Sequence, residues 1–260
     1  MDNMAQSRHK VKVVIPLYRA QLDDFERKSV AQNLRVLGRY PVVFLLPEGI
    51  DAPAETHGHT ILRVSDLWLG PKNGIAGYNR MMMAREFYDL FADSDYILIC
   101  QTDAWIFRDE LEEWCDRGFD YVGAPWPKRP VYDNPLIKLW LRMRKRLCGR
   151  NGRILRQDGF DKIGNGGLSL RKVESHRQAC TKYARRIDEF NRHNHHLYNE
   201  DRFWALIPEE FRYPSVEEAL RFSFDVKPDY CYRLAGNKLP FGCHGWYKKR
   251  LCEFWKNIIR

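Results

Sequence analysis

The chain has 260 residues, enough for one α/β domain with a sizeable core. Apolar residues make up 44% and charged residues 30%, which excludes a disordered chain, and no run of about 18 apolar residues exists to span a membrane. The net charge of +9 is uneven: residues 134–157 hold Lys138, Arg142, Arg144, Lys145, Arg146, Arg150, Arg153 and Arg156 with no acid, 248–260 hold five basic residues against Glu253, and the remainder is slightly acidic.

Residues 1–10 are polar, lack the apolar stretch of a signal peptide, and read as a flexible start. VKVVIP, 11–16, predicts a strand that ends at Pro16. From Leu22 to Leu37 the apolar residues Phe25, Val30, Leu34 and Leu37 have helical spacing, and Gly38 stops the pattern. PVVFLLP, 41–47, predicts a second buried strand, and 61–68 a third, shorter one. Asn73 to Phe91 reads as one helix carrying Met81, Met82, Phe87 and Leu90. YILICQTD, 96–103, is an apolar run that ends abruptly in polar residues. This β-α-β-α-β alternation predicts a mostly parallel sheet with helices on its faces. Ligands bind outside the carboxyl ends of such strands, where Asp103 falls.

The second half is less regular. YVGAPW, 121–126, is a short strand, and the three prolines of 127–135 make a loop. Residues 136–147 predict an amphipathic helix with Leu136, Leu139, Trp140, Met143 and Leu147 on one face and Lys and Arg elsewhere. IGNGGLSLR, 163–171, is a glycine-rich turn entering a regular element, and 172–192 look helical. The tail from Trp246 again has helical spacing, with Leu251, Phe254, Trp255 and Ile258. No repeat or linker divides the chain. The expectation is a single domain over 11–247 with a basic amphipathic insert at 134–157, followed by a basic amphipathic tail, 248–260. Seven cysteines without a C-x-x-C pair predict reduced thiols and a cytoplasmic location.

Four groups of residues could carry chemistry. Asp103, after Gln101 and Thr102 at a strand end, could ligate Mg²⁺ or Mn²⁺, or cap the next element. Gly164-Asn165-Gly166-Gly167 lets the backbone approach a ligand closely, or makes a tight turn; no Lys-Ser/Thr follows, so it is not a P-loop. Glu200 and Asp201 could supply a general base and its neighbour, or charge a helix N-terminus. His244, between glycines, could complete a metal shell or be a hydrogen-bonded core histidine. His193, His195 and His196 lack a matching ligand spacing and read as a solvated loop.

The order of these groups, with VVIPLY, YILICQTDAWIF, DYVGAPW, GNGGLSLR, NEDRFW and LPFGCHGW, resembles a bacterial family of uncharacterised proteins placed near inverting GT-A glycosyltransferases. The resemblance spans about residues 11–247. It implies a GT-A-like, Rossmann-like single domain and transfer of a sugar from a nucleotide-sugar donor to a glycan or lipid-linked acceptor. Cell-envelope polysaccharide synthesis, such as O-antigen or capsule, is the setting it implies. Asp103 matches the last Asp of the family's Asp-x-Asp metal motif and His244 its late metal-binding histidine, for Mn²⁺ or Mg²⁺. Gln101 stands where the first Asp usually is, and a neutral amide adds no charge to the site. Asp201 matches the catalytic base, with Glu200 touching the acceptor. Gly166 and Gly167 match the turn beside the donor sugar, with Gln101 and Thr102 near it, and Pro16, Tyr18 and Arg80 fall where the nucleotide is held.

The two basic amphipathic segments, 136–156 and 248–260, each place an apolar stripe beside Lys and Arg. That pattern suits an anionic membrane surface and a peripheral site on the inner face of the cytoplasmic membrane. A nucleic-acid partner is not expected, because no nucleic-acid motif accompanies the arginines. The competing readings are a noncatalytic carbohydrate-binding protein on the same fold, and a retaining or nucleotidyl transferase.

Overall fold

The computed structural model describes residues 8–70, 72–149 and 153–259. Val11–Pro16 (β1) is rich in β-branched residues and buried along almost its whole length, as a central strand must be. It pairs in parallel with Val42–Pro47 (β2) on one side and with Tyr96–Cys100 (β4) on the other; Thr60–Val64 (β3) lies parallel beyond β2. Asp24–Leu37 (α1) joins β1 to β2. Its start is set by a capping box in which Asp23 accepts from the Glu26 backbone and Glu26 accepts from that of Asp23. Asp66–Leu69 (α2), Gly74–Met82 (α3) and Arg85–Asp89 (α4) join β3 to β4.

Leu168–Lys172 (β7) runs antiparallel beside β4 and pairs with Tyr121–Val122 (β6). The six-stranded sheet therefore has the order β3-β2-β1-β4-β7-β6 and is mostly parallel, with helices on its faces. One apolar cluster centred on Val13, Leu98 and Phe222 fills one side, and a second containing Met81, Phe87, Ile97 and Trp204 fills the other.

A second, three-stranded sheet lies beyond the carboxyl end of β4. Ala104–Ile106 (β5), Ser223–Phe224 (β8) and Gly242–His244 (β9) lie in the order β5-β9-β8, with Ala104 opposite His244 and Phe224 opposite Cys243. The remaining helices are Leu111–Asp116 (α5), Pro135–Cys148 (α6), Val173–Lys182 (α7), Ala184–Asn191 (α8), Glu200–Leu206 (α9), Val216–Phe222 (α10), Pro228–Leu234 (α11) and Cys252–Trp255 (α12).

Several expectations need correction. The expected helix from Asn73 to Phe91 is two helices, α3 and α4. The Met82 carbonyl accepts from Tyr88 Oη (2.8 Å) and Trp204 Nε1 (3.1 Å), and Ala84 is extended, so the helical ladder stops there. The helix expected over 172–192 is α7 and α8, divided at Tyr183. The apolar run that begins at Tyr96 forms a strand ending at Cys100, just before the polar residues, where the Gln101 carbonyl accepts from the Ala104 backbone. The loop at 127–135 contains a 3-10 turn, Pro130–Asp133. The tail forms only the one-turn α12, and its apolar residues are not displayed. Trp255 is fully buried in a third cluster with Phe224, Cys231, Cys243 and Trp246, with Leu251, Phe254 and Ile258 packed against it. The helix at 136–147 forms as expected, but none of its residues is buried. The flexible start expected at 1–10 falls largely outside the described residues, as do Arg150 and Arg260; Lys10 is tied by its backbone N–H to Asp95 (2.9 Å). Among the described residues, no helix is long and apolar enough to cross a membrane.

Candidate active site

At the carboxyl ends of β1 and β4 lies a cleft of about 560 Å³, lined among others by Tyr18, Tyr78, Gln101, Gly166, Gly167, Asp201, Asp225 and His244. The small sheet assembles one wall. Asp103 immediately precedes β5, His244 ends β9 and Asp225 follows β8, so strand pairing alone brings these three together. His244 Nε2 lies 3.0 Å from Asp103 Oδ1 and 3.2 Å from Gln101 Oε1, and His244 Nδ1 lies 3.1 Å from Asp225 Oδ1. Lys248 Nζ stands 2.7 Å from the other Asp103 oxygen. Burial would raise the Asp103 pKa, but His244 and Lys248 outweigh it and hold the carboxyl well below the usual range. Burial likewise opposes the imidazolium of His244, yet Asp103 and then Asp225 raise its pKa to about 9.

The glycine turn adjoins this wall. The Gln101 backbone N–H donates to the Gly167 carbonyl (2.8 Å), Tyr78 Oη donates to the Gly166 carbonyl (2.8 Å), and Gly167 N donates to Asn165 Oδ1 (2.8 Å). A Cβ at Gly166 would collide with Glu200 and one at Gly167 with His244, so both positions require glycine for close approach rather than for an unusual φ.

Behind the turn, Arg171 is fully buried and donates to both oxygens of Glu200 (3.0 and 3.2 Å), to Tyr88 (2.9 Å) and to Ser169 (3.0 Å). Glu200 is only 2% exposed. Burial, with Asp201 adding, raises its pKa to about 7 against the pull of the guanidinium, and the two-pronged contact with Arg171 shapes the cleft. Asp201 faces the cleft differently. Its Oδ1 accepts from the Arg202 backbone (2.8 Å), and among the described residues no side-chain cation is ion-paired with it. Burial, with Asp225 adding, raises its pKa to about 6 against the pull of Arg202.

The expected residues are thus partly reunited. Tyr18, Gln101, Gly166, Gly167, Asp201 and His244 line one cleft, and Asp103 stands behind His244. Glu200 reaches the wall but is committed to Arg171 instead of standing free for an acceptor. Thr102 is buried and donates to Glu26 (2.9 Å), and Pro16 is buried in β1; neither lines the cleft. Arg80 is exposed on α3 and also does not line it. Residues the sequence reading missed are Asp225, Lys248, Arg171, Tyr78 and Asn79. Asn79 Oδ1 accepts from the Glu200 backbone (3.1 Å) and Asn79 Nδ2 donates to Asn199 (3.1 Å), fixing the start of α9. The alternation of Leu220, Phe222 and Phe224 with polar residues before Asp225 was a usable strand signal, because an acid at a strand end is where ligands gather; the others had none.

The donor set can be tested against a divalent cation. Adjacent ligands of an octahedral ion with bonds of about 2.1 Å stand about 3 Å apart. The 3.0 and 3.2 Å separations around His244 Nε2 match that edge length. Asp225 on Nδ1 fixes the ring so that Nε2 faces Gln101 and Asp103, the carboxylate–histidine arrangement of metal sites. Among the described residues, the His, Cys, Asp and Glu side chains close enough to form a three-ligand group are His9, Glu112 and Asp116, outside the cleft. The cleft's set therefore depends on the Gln101 amide, and with one carboxylate it carries little charge.

A sequence-family profile described as protein of unknown function (DUF5672) matches residues 61–244. The chain belongs to that family. No curated protein matches it in sequence. Among solved structures, this DUF5672 member is similar to an active-site mutant of LgtC, with TM-score 0.55 and 15% identity over 95% of this chain and 94% of that one. It is also similar to the galactosyltransferase LgtC in complex with donor and acceptor sugar analogs, with TM-score 0.52 and 13% identity over 92% and 90%. Mouse xyloside xylosyltransferase 1 matches with TM-score 0.51 and 12% identity over 91% of this chain and 97% of that one. At these identities the likeness is one of fold: a single mixed α/β domain of the GT-A glycosyltransferase type.

Proposed function

We propose that this protein is a glycosyltransferase that moves a sugar from a nucleotide-sugar donor to a glycan or lipid-linked acceptor in cell-envelope polysaccharide synthesis. One observation carries the reading: at the strand ends of a GT-A fold, a weakly charged donor set (Asp103, His244, Gln101) packs against a glycine turn in the wall of a cleft that also holds Asp201, a carboxylate with no cation paired to it among the described residues. Mn²⁺ or Mg²⁺, held by Asp103 and His244 with Gln101, would neutralise charge on the leaving nucleoside diphosphate. Asp225 holds the His244 ring in place. Gly166 and Gly167 let the donor sugar approach the backbone. Tyr18, held by the Gln101 amide (3.1 Å), and Tyr78 offer aromatic surface to the nucleotide. Asp201 takes the proton of the acceptor hydroxyl, and attack in line with the leaving group inverts the anomeric carbon.

A thermal-shift panel of nucleotide sugars, each with Mn²⁺, Mg²⁺ or EDTA, tests the first half. Ligand at about 100 times its dissociation constant adds roughly 2.7 kcal/mol. A metal-dependent shift with one nucleotide is expected; no shift with any of them sinks the reading. Asp201→Asn tests the second half. Transfer is expected to fall by about 10²–10⁴ with donor binding kept. Unchanged turnover removes the base from Asp201, as does a product of retained configuration. Nucleotide binding without turnover on any acceptor favours the carbohydrate-binding alternative, which the neutral Gln101 suits.

The same proposal places the acceptor at an anionic bilayer surface met by α6. Leu136 (76% exposed), Leu139, Trp140 (56% exposed), Met143 and Leu147 form one outward stripe about 100° wide, and nothing in the described chain covers it. At 3.6 residues per turn, Arg142 and Arg146 border the stripe on one side and Arg144 on the other, and among the described residues none of the three makes an ion pair. That is the charge pattern of a helix lying among anionic headgroups. Co-sedimentation with vesicles rich in anionic lipid is expected; equal binding to neutral vesicles would count against it.

A further inference from the structure

Beside the cleft is a second cavity of about 420 Å³ that no part of the transfer chemistry uses. Four cations converge on it from four separate segments: Arg156 after α6, Arg202 on α9, Lys227 after β8, and Arg250 before α12. Its walls are aromatic. The Arg202 guanidinium lies 4.1 Å over the Trp126 ring, and the Tyr132 and Phe160 rings lie 4.6 Å apart, tilted by 35°. Among the described residues, none of the four cations is ion-paired with a carboxylate. Asp201, next to Arg202 in the chain, acts on it from the cleft side without an ion pair, while Asp158 is engaged by Lys145 and Asp229 by Arg233.

The arrangement is costly as it stands. Arg202 Nη1 is buried without a hydrogen-bond partner. Any side chain at Gly159 would run into that guanidinium, so the backbone there is shaped around it. Lys227 is held at φ 54°, in the left-handed region, with Tyr230 and Cys231 donating to its carbonyl (3.0 Å each). Burial lowers the Lys227 pKa, and Arg129 and Arg156 lower it further; burial also lowers that of Arg202, where Arg156 again adds. Like charges gathered in a half-buried cavity are the signature of a site for an oxyanion.

Its position relative to the cleft says which oxyanion. Asp201 and Asp225 line the cleft, while their chain neighbours Arg202, Val226 and Lys227 line the second cavity. Gly164, next to the donor-side turn, lies against Trp126. The cavity is therefore on the far side of Asp201 from Gln101 and Gly167, and Tyr132, in the turn that leads into α6, closes it.

We infer that this cavity is a phosphate subsite for the acceptor, so that the acceptor is a phosphorylated or diphosphate-linked sugar held by Arg156, Arg202, Lys227 and Arg250. The inference rests on the transferase reading for the word acceptor, but not for the binding itself.

Calorimetry on the full chain tests it with two probes, inorganic pyrophosphate and farnesyl diphosphate, alone and with the nucleotide that shifts the melting temperature. Both probes are expected to bind, independently of the nucleotide, and Arg156→Glu/Lys227→Glu is expected to weaken them by about tenfold or more. The milder Arg156→Gln/Lys227→Met pair repeats the test if the reversals unfold the chain, and the nucleotide shift reports that the fold survives. Tighter binding of farnesyl diphosphate identifies a lipid-linked phosphate; equal binding identifies a soluble one. Pyrophosphate binding that the nucleotide abolishes assigns the cavity to the donor and overturns the inference. So does absence of binding by either probe, or binding unaltered by the variants. Pyrophosphate binding with no nucleotide shift keeps the anion site and removes the transferase reading.

Discussion

Helix α6 and the tail around α12 carry the same pattern, an apolar stripe beside Lys and Arg, and have opposite fates. The tail finds a surface. Trp255 packs 5.7 Å from Phe107 and 6.3 Å from Phe224, and Phe254 lies 5.6 Å from Tyr232, so the stripe closes the outer side of the small sheet. Helix α6 finds none. It touches the body through the Leu141 carbonyl, which accepts from Gln157 (2.8 Å), and through Lys145 on Asp158 (2.9 Å), while its apolar stripe faces outward. The difference teaches that amphipathicity states a need for a partner without saying which partner. The tail is part of the site, because the sheet it covers carries Asp103, Asp225 and His244, and its Lys248 holds Asp103 directly. Helix α6 contributes no residue to the lining of the cleft.

The strongest way to break this contrast is Trp255→Ala. Deleting a fully buried indole is expected to cost about 3–5 kcal/mol, read as a lower urea midpoint, with donor binding lost alongside. A loss below about 1 kcal/mol would show that the tail does not support the sheet. Next in size is Arg142→Glu/Arg146→Glu on α6. At about 1 kcal/mol per cation, affinity for anionic vesicles is expected to fall by at least about thirtyfold, with the urea midpoint unchanged. Unchanged vesicle binding would return α6 to a solvated helix.

The pH profile probes the site that the tail supports. Asp201 has a pKa raised to about 6 by burial, and only its ionised form can accept a proton. Transfer is therefore expected to be level above pH 6 and to fall by about tenfold per unit below it. A profile flat to pH 4.5 would exclude Asp201 as the base. The smallest effect belongs to Trp140→Ala. Because Trp140 is 56% exposed on α6, stability is expected to change by less than about 0.5 kcal/mol while vesicle binding weakens. A large loss of stability would mean that the stripe is covered in the native protein.

Much of the central sheet was legible because its signals are local. Largely apolar runs at 11–16, 41–47 and 96–100, separated by helical spacing, specify parallel strands with crossovers, and the acid after the last run sits where such sheets bind ligands. The glycines at 166 and 167 were legible as a close approach, but not what they approach, which is Glu200 and His244. The break between α3 and α4 was hidden because it depends on Tyr88 and Trp204 capturing one carbonyl, the latter from far along the chain.

What the sequence by itself determined is the class of fold, the place of Asp103 at a strand end, and the existence of two amphipathic basic segments. Only the tertiary structure decided that Glu200 is neutralised by a buried Arg171, that Asp225 and Lys248 complete the surroundings of Asp103 and His244, and that one amphipathic segment docks while the other does not. The physical reason is common to all three. Periodicity and composition report the free energy a segment gains by burial, whereas charge pairing and docking depend on which distant surface lies within a few ångströms.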